Sequence, residues 1–194
     1  MKRNILAVCV TAATVFTLIG CRHTPPPFAD AKEQPAGKEF YTAVNMWYED
    51  PGAIMSTNYH EGAILPAGAK VLIRQVTYDS IYFEDVETSA EYRLVHVKRH
   101  SVLPMEEYFY RQFSEANPMG DNGTFEAFTD KEQENIKNGK IEKGMSREAV
   151  LMAYGYPPSH ETPALETSTW IYWTNRWDTV EVKFEEERVN KVID

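Results

Sequence analysis

The residue types in this 194-residue chain that could do chemistry are a pair of histidines, many carboxylates, a glycine-punctuated segment and two cysteines. His96 and His100 lie in "AEYRLVHVKRHSV", whose alternating apolar residues predict a strand. Four apart on a strand they share a face about 13 Å apart, at ~3.3 Å per residue. That is too far to hold one metal ion, so both read as surface histidines. The acids are scattered or gathered in surface runs such as Glu185–Glu187, with no pair set out for acid–base work. The segment Lys143–Pro158, "KGMSREAVLMAYGYPP", lacks the glycine spacing before a Lys-Ser/Thr pair that cradles phosphate. No strand runs into it to make a dinucleotide fingerprint. Neither Gly-x-Ser-x-Gly nor His-Glu-x-x-His occurs. These readings point to a protein that is not an enzyme and needs no cofactor or metal.

The same segment is better explained by what a helix needs. Ser146 suits an N-cap, Met145 before it can pack on Val150, and Glu148 in the first turn complements the helix dipole. Gly155 offers a left-handed stop, and Pro157 and Pro158 block continuation. Upstream, Thr129 and Glu132 fit a capping box, with Gly139 able to end that helix. Downstream, "STWIYWT" and "TVEVKFEEERVNKVID" predict three antiparallel strands. Trp170, Tyr172, Val180, Val182 and Phe184 lie on their alternating faces, and "EEE" makes the last turn.

The rest of the chain divides as follows. Lys2 and Arg3 precede an uncharged apolar run, Ile5 to Ile19, that has the layout of a secretory signal over residues 1–20 and is short for a bilayer span. The run ends in "LIGC", which resembles the lipobox of bacterial lipoproteins. That resemblance implies cleavage before Cys21 and acylation of its thiol and new amino terminus, a firm multi-chain membrane anchor. Arg22 in place of an aspartate implies the outer membrane, with the protein facing the periplasm. Cys9 leaves with the signal, so no disulfide or free thiol is expected in the processed chain. Loss of Lys2 and Arg3 takes the formal net charge of −9 down by two, to −11, which argues against nucleic acid as a partner.

Residues 21–39, rich in proline and charge, read as a tether. Residues 40–103 carry only strand signals. "AILPAGAKVLIRQV" turns at Pro66 and Gly68, then sets Val71, Ile73 and Gln75 against Leu72 and Arg74. Several short strands in so few residues predict a small antiparallel β-barrel. "NYHEGAILPAGAKV" resembles the turn and strand of bacterial Src-homology-3-like barrels. Over 104–123 a connecting helix is expected to open at Pro104, with Met105, Tyr108, Phe109, Phe113 and Ala116 on one face, before the loop "NPMGDNG".

Residues 124–194 then form an α+β unit of two helices on a three-stranded antiparallel sheet. Here "IKNGKIEKGMSREAVLMAYGYPP" followed by "STWIYW" resembles the BamE family (SmpA/OmlA) of outer-membrane lipoproteins. Gly144, Met145, Val150, Gly155, Pro157, Trp170 and Tyr172 occupy the family's hallmark positions. The resemblance implies a non-catalytic domain that binds other cell-envelope proteins and serves outer-membrane assembly or integrity.

Binding residues are sought among aromatics and cations that the core pattern does not absorb. Trp47, Tyr48, Tyr59, Trp173 and Trp177 are the aromatic candidates for partner binding, Trp177 in the turn "NRWD" foremost for exposure. Lys137, Lys140, Lys143 and Arg147 form a basic cluster that reads as solvated surface or as a contact for lipid head groups or an acidic partner. Two functions follow. One is a scaffold or adaptor acting through the C-terminal unit. The other is a peptidoglycan- or glycan-binding lipoprotein acting through a cleft of Trp47, Tyr48 and Tyr59.

Overall fold

The computed structural model describes Pro27, Phe28 and residues 34–194. The signal segment 1–20, Cys21 and most of the tether lie outside the described residues. The fold is mixed α+β with two hydrophobic cores. Eight strands and one helix form the first part: β1 (Glu39–Thr42), β2 (Met46–Tyr48), β3 (Ile54–Met55), β4 (Ala63–Leu65), β5 (Lys70–Val76), β6 (Ser80–Asp85), β7 (Glu91–Val95), α1 (Met105–Gln112) and β8 (Phe113–Ser114). Six of these strands make one curled sheet in the order β3-β7-β6-β5-β1-β8, and β2 and β4 pair as a separate ribbon. Every pairing is antiparallel except β3 with β7. The second part holds α2 (Asp130–Asn138), α3 (Arg147–Tyr154) and the sheet β11-β10-β9, made of β9 (Thr169–Trp173), β10 (Thr179–Glu185) and β11 (Arg188–Ile193). Among the described residues no helix is long and apolar enough to cross a membrane.

The alternation of β5 and β6 drives Val71, Ile73, Ile81 and Phe83 into the first core. A register shift between Ile73 and Gln75 breaks the pattern, so Gln75 is exposed and Val76 turns toward the core instead. The helix expected as a connector is part of this core, because Met105, Tyr108 and Phe109 are all buried in it. It is also shorter than the periodicity suggests. Phe113 caps it through its N–H to Phe109, then goes extended to pair with Thr42, leaving Ala116 exposed. A backbone partner on β1 ends the helix before its apolar stripe does. The tether is likewise interrupted. Phe28 is fully buried, edge-on to Phe109 at 5.5 Å, because a phenyl ring gains more from burial than a mobile linker gains from freedom.

In the second part both helix starts follow the sequence. Thr129 and Glu132 close a capping box on α2, and the Ser146 hydroxyl accepts from the N–H of Ala149 on α3. Met145 and Val150 share the second core with Trp170, Tyr172, Val180, Val182 and Phe184. The helix stops have a second duty. At Gly139 (φ 59°) a Cβ would lie 2.6 Å from Ile64 Cδ1 and 2.7 Å from Trp47 Cζ2. Gly155 is not the left-handed stop expected: at φ 75° and ψ −175° it is extended in a region almost confined to glycine, and a Cβ would lie 2.8 Å from Asn58 Nδ2. Both glycines end a helix where the first part presses against it.

Candidate functional site

The two parts meet along a seam built from three polar residues of the segment between β1 and β4. Asn45 is 3% exposed. Its Nδ2 donates to the carbonyls of Ile136 (2.7 Å) and Ala153 (3.0 Å), and its Oδ1 accepts from the N–H of Ala67 (2.8 Å). One amide thus caps the last turns of α2 and α3 together. Asn58 Nδ2 donates to the carbonyls of Tyr154 and Tyr156 at 2.8 and 3.2 Å. At the other end of the helix pair, Glu132 Oε1 accepts from the N–H of Ser146 at 2.8 Å, while Oε2 accepts from the N–H and hydroxyl of Thr129. The starts of α2 and α3 therefore share an anion and their ends share a donor, so the helices run side by side in the same direction. Their dipoles repel in that arrangement, and both shared contacts offset the repulsion. Burial pushes the Glu132 carboxyl up, but the hydrogen bonds from Ser146 and Thr129 outweigh it and bring the pKa down to about 2.

His60 completes the seam. Its ring stacks on Tyr154 at 3.5 Å and sits edge-on to Trp47 and Tyr172. Nε2 lies 2.8 Å from the Tyr154 carbonyl and Nδ1 3.0 Å from the Trp173 carbonyl. Burial lowers its pKa to about 4 against the upward pull of these two carbonyls, so the ring is neutral at pH 7 and has one proton to donate. The shorter contact assigns it to Nε2, and the Trp173 carbonyl accepts instead from the backbone N–H of His60. Because the folded pKa lies below the unfolded value of 6.5, the unfolded chain takes up a proton first as pH falls. Stability is fully held above pH 6.5 and is lost between 6.5 and 4, by about 3 kcal/mol. Urea midpoints across that range should fall for the wild type, and the fall should be shallower in His60→Gln.

Beside the seam run two connected hollows of about 130 and 360 Å³, which share Glu49, Met55, Tyr59 and Glu61. Trp47, Tyr48 and Asp50 line the smaller, and Arg99, His100 and Arg176 line the larger. Together they make a groove of mixed charge, with Glu49, Glu61 and Tyr59 common to both hollows, Asp50 and the rings of Trp47 and Tyr48 in the smaller, and two guanidinium groups in the larger. Tyr59 meets Trp173 edge-on at 6.3 Å. Arg176 stacks over Trp177, which is 82% exposed at the tip of the β9–β10 turn. The tip is fixed, because Asn175 Oδ1 accepts from the N–H groups of both Trp177 and Asp178. Three of the five aromatic candidates line this groove, and the other two adjoin it, Trp173 through Tyr59 and Trp177 through Arg176. Trp47 and Trp173 are half-buried flanks of it, each with its indole N–H enclosed and without an acceptor.

The basic cluster does not hold together. Lys137, Lys140 and Lys143 are exposed, but Arg147 is buried over Phe184 (4.3 Å) and Trp170 (5.3 Å). Its Nη1 donates to the carbonyls of Leu165 and Thr167, and its Nε lies 2.7 Å from Glu187, off the N–H direction, as a charge contact. A guanidinium is flat and weakly hydrated enough to roof the core from the first turn of α3.

The histidines need a larger correction. The strand ends at Val95, and residues 98–100 form a turn, so His96 and His100 share no strand face. His96 is buried, stacked on Tyr108, with Nε2 3.0 Å from the Ser101 hydroxyl. Its Nδ1 has no partner, so the pair lacks the acceptor that orients a nucleophile's base. His100 pairs instead with His160. Arg99 Nε donates to His100 Nε2, His100 Nδ1 meets His160 Nε2 at 3.1 Å, and His160 Nδ1 meets the His100 carbonyl at 3.1 Å. Protons on His100 Nδ1 and His160 Nδ1 fit all three contacts, and Glu161 Oε1 lies 3.4 Å from His160 Nε2. Among the described residues no three His, Cys, Asp or Glu side chains are grouped to hold a metal ion. His160, Asn45, Asn58 and His60 carry no spacing motif; a lone polar residue in the apolar run "TAVNMWY" was the one visible hint. No family model, no curated protein and no solved structure matches this chain.

Proposed function

We propose that this chain is a non-enzymatic, lipid-anchored adaptor on the periplasmic face of the bacterial outer membrane. It holds a segment of another envelope protein in the seam groove, in the service of outer-membrane assembly or envelope integrity. The observation that carries the reading is Trp177, an aromatic ring held out into solvent by a fixed turn beside a groove of mixed charge. An exposed tryptophan costs a free protein solubility, and it is among the residue types that dominate binding energy at interfaces. The lipobox at Cys21 and the BamE resemblance of residues 136–173 support the compartment and the role. The helix pair on a three-stranded sheet agrees with that resemblance at the level of architecture.

The glycan reading keeps one observation of its own, the hollow in which Trp47, Tyr48 and Tyr59 meet Glu49, Asp50 and Glu61. Alone, at about 130 Å³, that hollow is below the several hundred Å³ usual for a small-molecule site, and it reaches that range only with the adjoining hollow of about 360 Å³. The two readings separate by measurement. A photo-crosslinker at position 177 in living cells should trap one envelope protein, and Trp177→Ala should weaken that partner's binding about thirtyfold. Undiminished binding by folded Trp177→Ala would overturn the adaptor. Pelleting with purified peptidoglycan that is lost in Tyr59→Ala would establish the glycan reading in its place.

A further inference from the structure

Three of the large hydrophobic side chains left exposed in the described residues lie around one point, where Pro27 leads into the first core. Val102 is 83% exposed, Tyr78 50% and Tyr110 47%. Pro27, Tyr78, Val102 and Pro104 border one hollow of about 470 Å³, and Pro104 and Tyr110 border the next. Lys98 sits at the same rim with its ammonium over the Tyr78 ring. The adjoining Phe28 is fully buried and touches Tyr110 edge-on at 6.2 Å, so among the described residues the chain first meets the fold at this patch. Cys21 lies six residues before Pro27. Even fully extended, that segment spans only about 20 Å, about half the diameter of a domain this size. An anchor at Cys21 therefore holds this patch near the bilayer, and the far side of the molecule cannot turn to take its place.

We propose that the face around Pro27 rests on the lipid–water interface of the membrane that holds the anchor. The proposal depends on the lipid-anchor reading above. Its chemistry suits that boundary. Val102 and the prolines enter the acyl edge, Tyr78 and Tyr110 lie at the depth where rings with one polar end collect, and Lys98 reaches phosphate oxygens. Of the carboxylates around this face, Glu107 is paired with Arg111 at 2.8 Å, Glu106 is half-buried in the hollow beside Tyr110, and Asp79 is exposed next to Tyr78.

The test separates the face from the anchor. Residues 1–21 are replaced by a polyhistidine tag, which leaves a chain without cysteine and tethers it to vesicles of phosphatidylethanolamine, phosphatidylglycerol and a nickel-chelating lipid. An environment-sensitive fluorophore is placed at Val102→Cys or, as the comparison, at Glu186→Cys in the exposed β10–β11 turn. The label at 102 should brighten roughly twofold on vesicles and escape a water-soluble quencher, as interfacial burial requires. The label at 186 should do neither. Equal quenching at both positions overturns the proposal. So does a label at 102 that is open on vesicles yet shielded in native envelopes, because a protein then covers the patch. Tyr110→Asp in the 102-labelled chain should reverse the protection while leaving the circular dichroism unchanged. Fractionation of Cys21→Ala from cells tests the native anchor alone. Release of that variant supports the anchor, and retention with normal signal cleavage sinks the anchor reading whatever the tethered chain shows.

Discussion

Replacing Asn45 with alanine should lower the stability of the protein by about 4 kcal/mol, a fall in Tm on the order of 10 °C. Three buried hydrogen bonds converge on that amide, and its loss strands the carbonyl of Ala153 and the N–H of Ala67, while the Ile136 carbonyl keeps the Gly139 N–H at 3.2 Å. Each group left unsatisfied costs about 1–3 kcal/mol. Asn45→Asp should be worse at neutral pH despite its nearly identical shape. It sets a carboxylate against two helix C-termini, where the backbone already presents negative charge. Lowering the pH toward 4 should close the gap between the two variants as the new carboxyl takes a proton. Urea denaturation of both, followed by circular dichroism, reads the result. If Asn45→Ala unfolds within 1 kcal/mol of wild type, the shared cap is not what joins the helix ends.

The second large effect lies at the opposite end of the same helices. Glu132→Gln keeps the shape of the side chain and removes the charge that two helix starts share. With a folded pKa of about 2 and a reference value of 4.5, the wild-type carboxylate contributes stability present in full above pH 4.5. The contribution amounts to about 3 kcal/mol and is lost as pH falls from 4.5 to 2. At pH 7 the variant should therefore be less stable by an amount of that order. The difference should shrink as the medium is acidified, so that the two stability curves converge near pH 2. Parallel curves at all pH values would assign the loss to shape rather than to charge.

Local structure was legible in the sequence wherever a local interaction decides it. The Thr129–Glu132 box, the Ser146 cap, the two glycine stops and the alternation of Trp170, Tyr172, Val180 and Val182 all act within a few residues and were found. Phe113 was misplaced because its apolar spacing fits a helix equally well until Thr42, 71 positions earlier, offers it a strand partner. Arg147 reads as one more cation beside three lysines, and only the fold reveals Trp170 and Phe184 beneath it. The aromatic candidates were chosen as residues the pattern could not place in a core, and the groove explains why. Trp47 and Tyr59 face a seam, whose other wall, Tyr154 and Trp173, comes from a hundred residues further on, while Tyr48 packs on Tyr92 at the edge of the first core. Asn45 stands out as a polar residue in an apolar run, but nothing near it in the chain names its acceptors.

The seam also fixes when the protein can be finished. A chain delivered from its N-terminus emerges with β1 to β7 long before the residues that complete them. β1 waits for β8, Asn45 waits for carbonyls 91 and 108 positions later, and His60 waits for Trp173, 113 positions later. Contacts of such span close slowly, because the loop entropy is lost before the contact is gained. Until α3 arrives, Trp47 lacks Tyr154 as its second wall, and until β9 arrives Tyr59 lacks Trp173, so both rings stand open to water beside a short two-stranded ribbon. During that interval the half-made molecule exposes aromatic surface and unpaired strand edge, the features that invite aggregation and chaperone capture. Its most vulnerable moment is therefore the last stage of delivery, when all but the final fifty residues are in place.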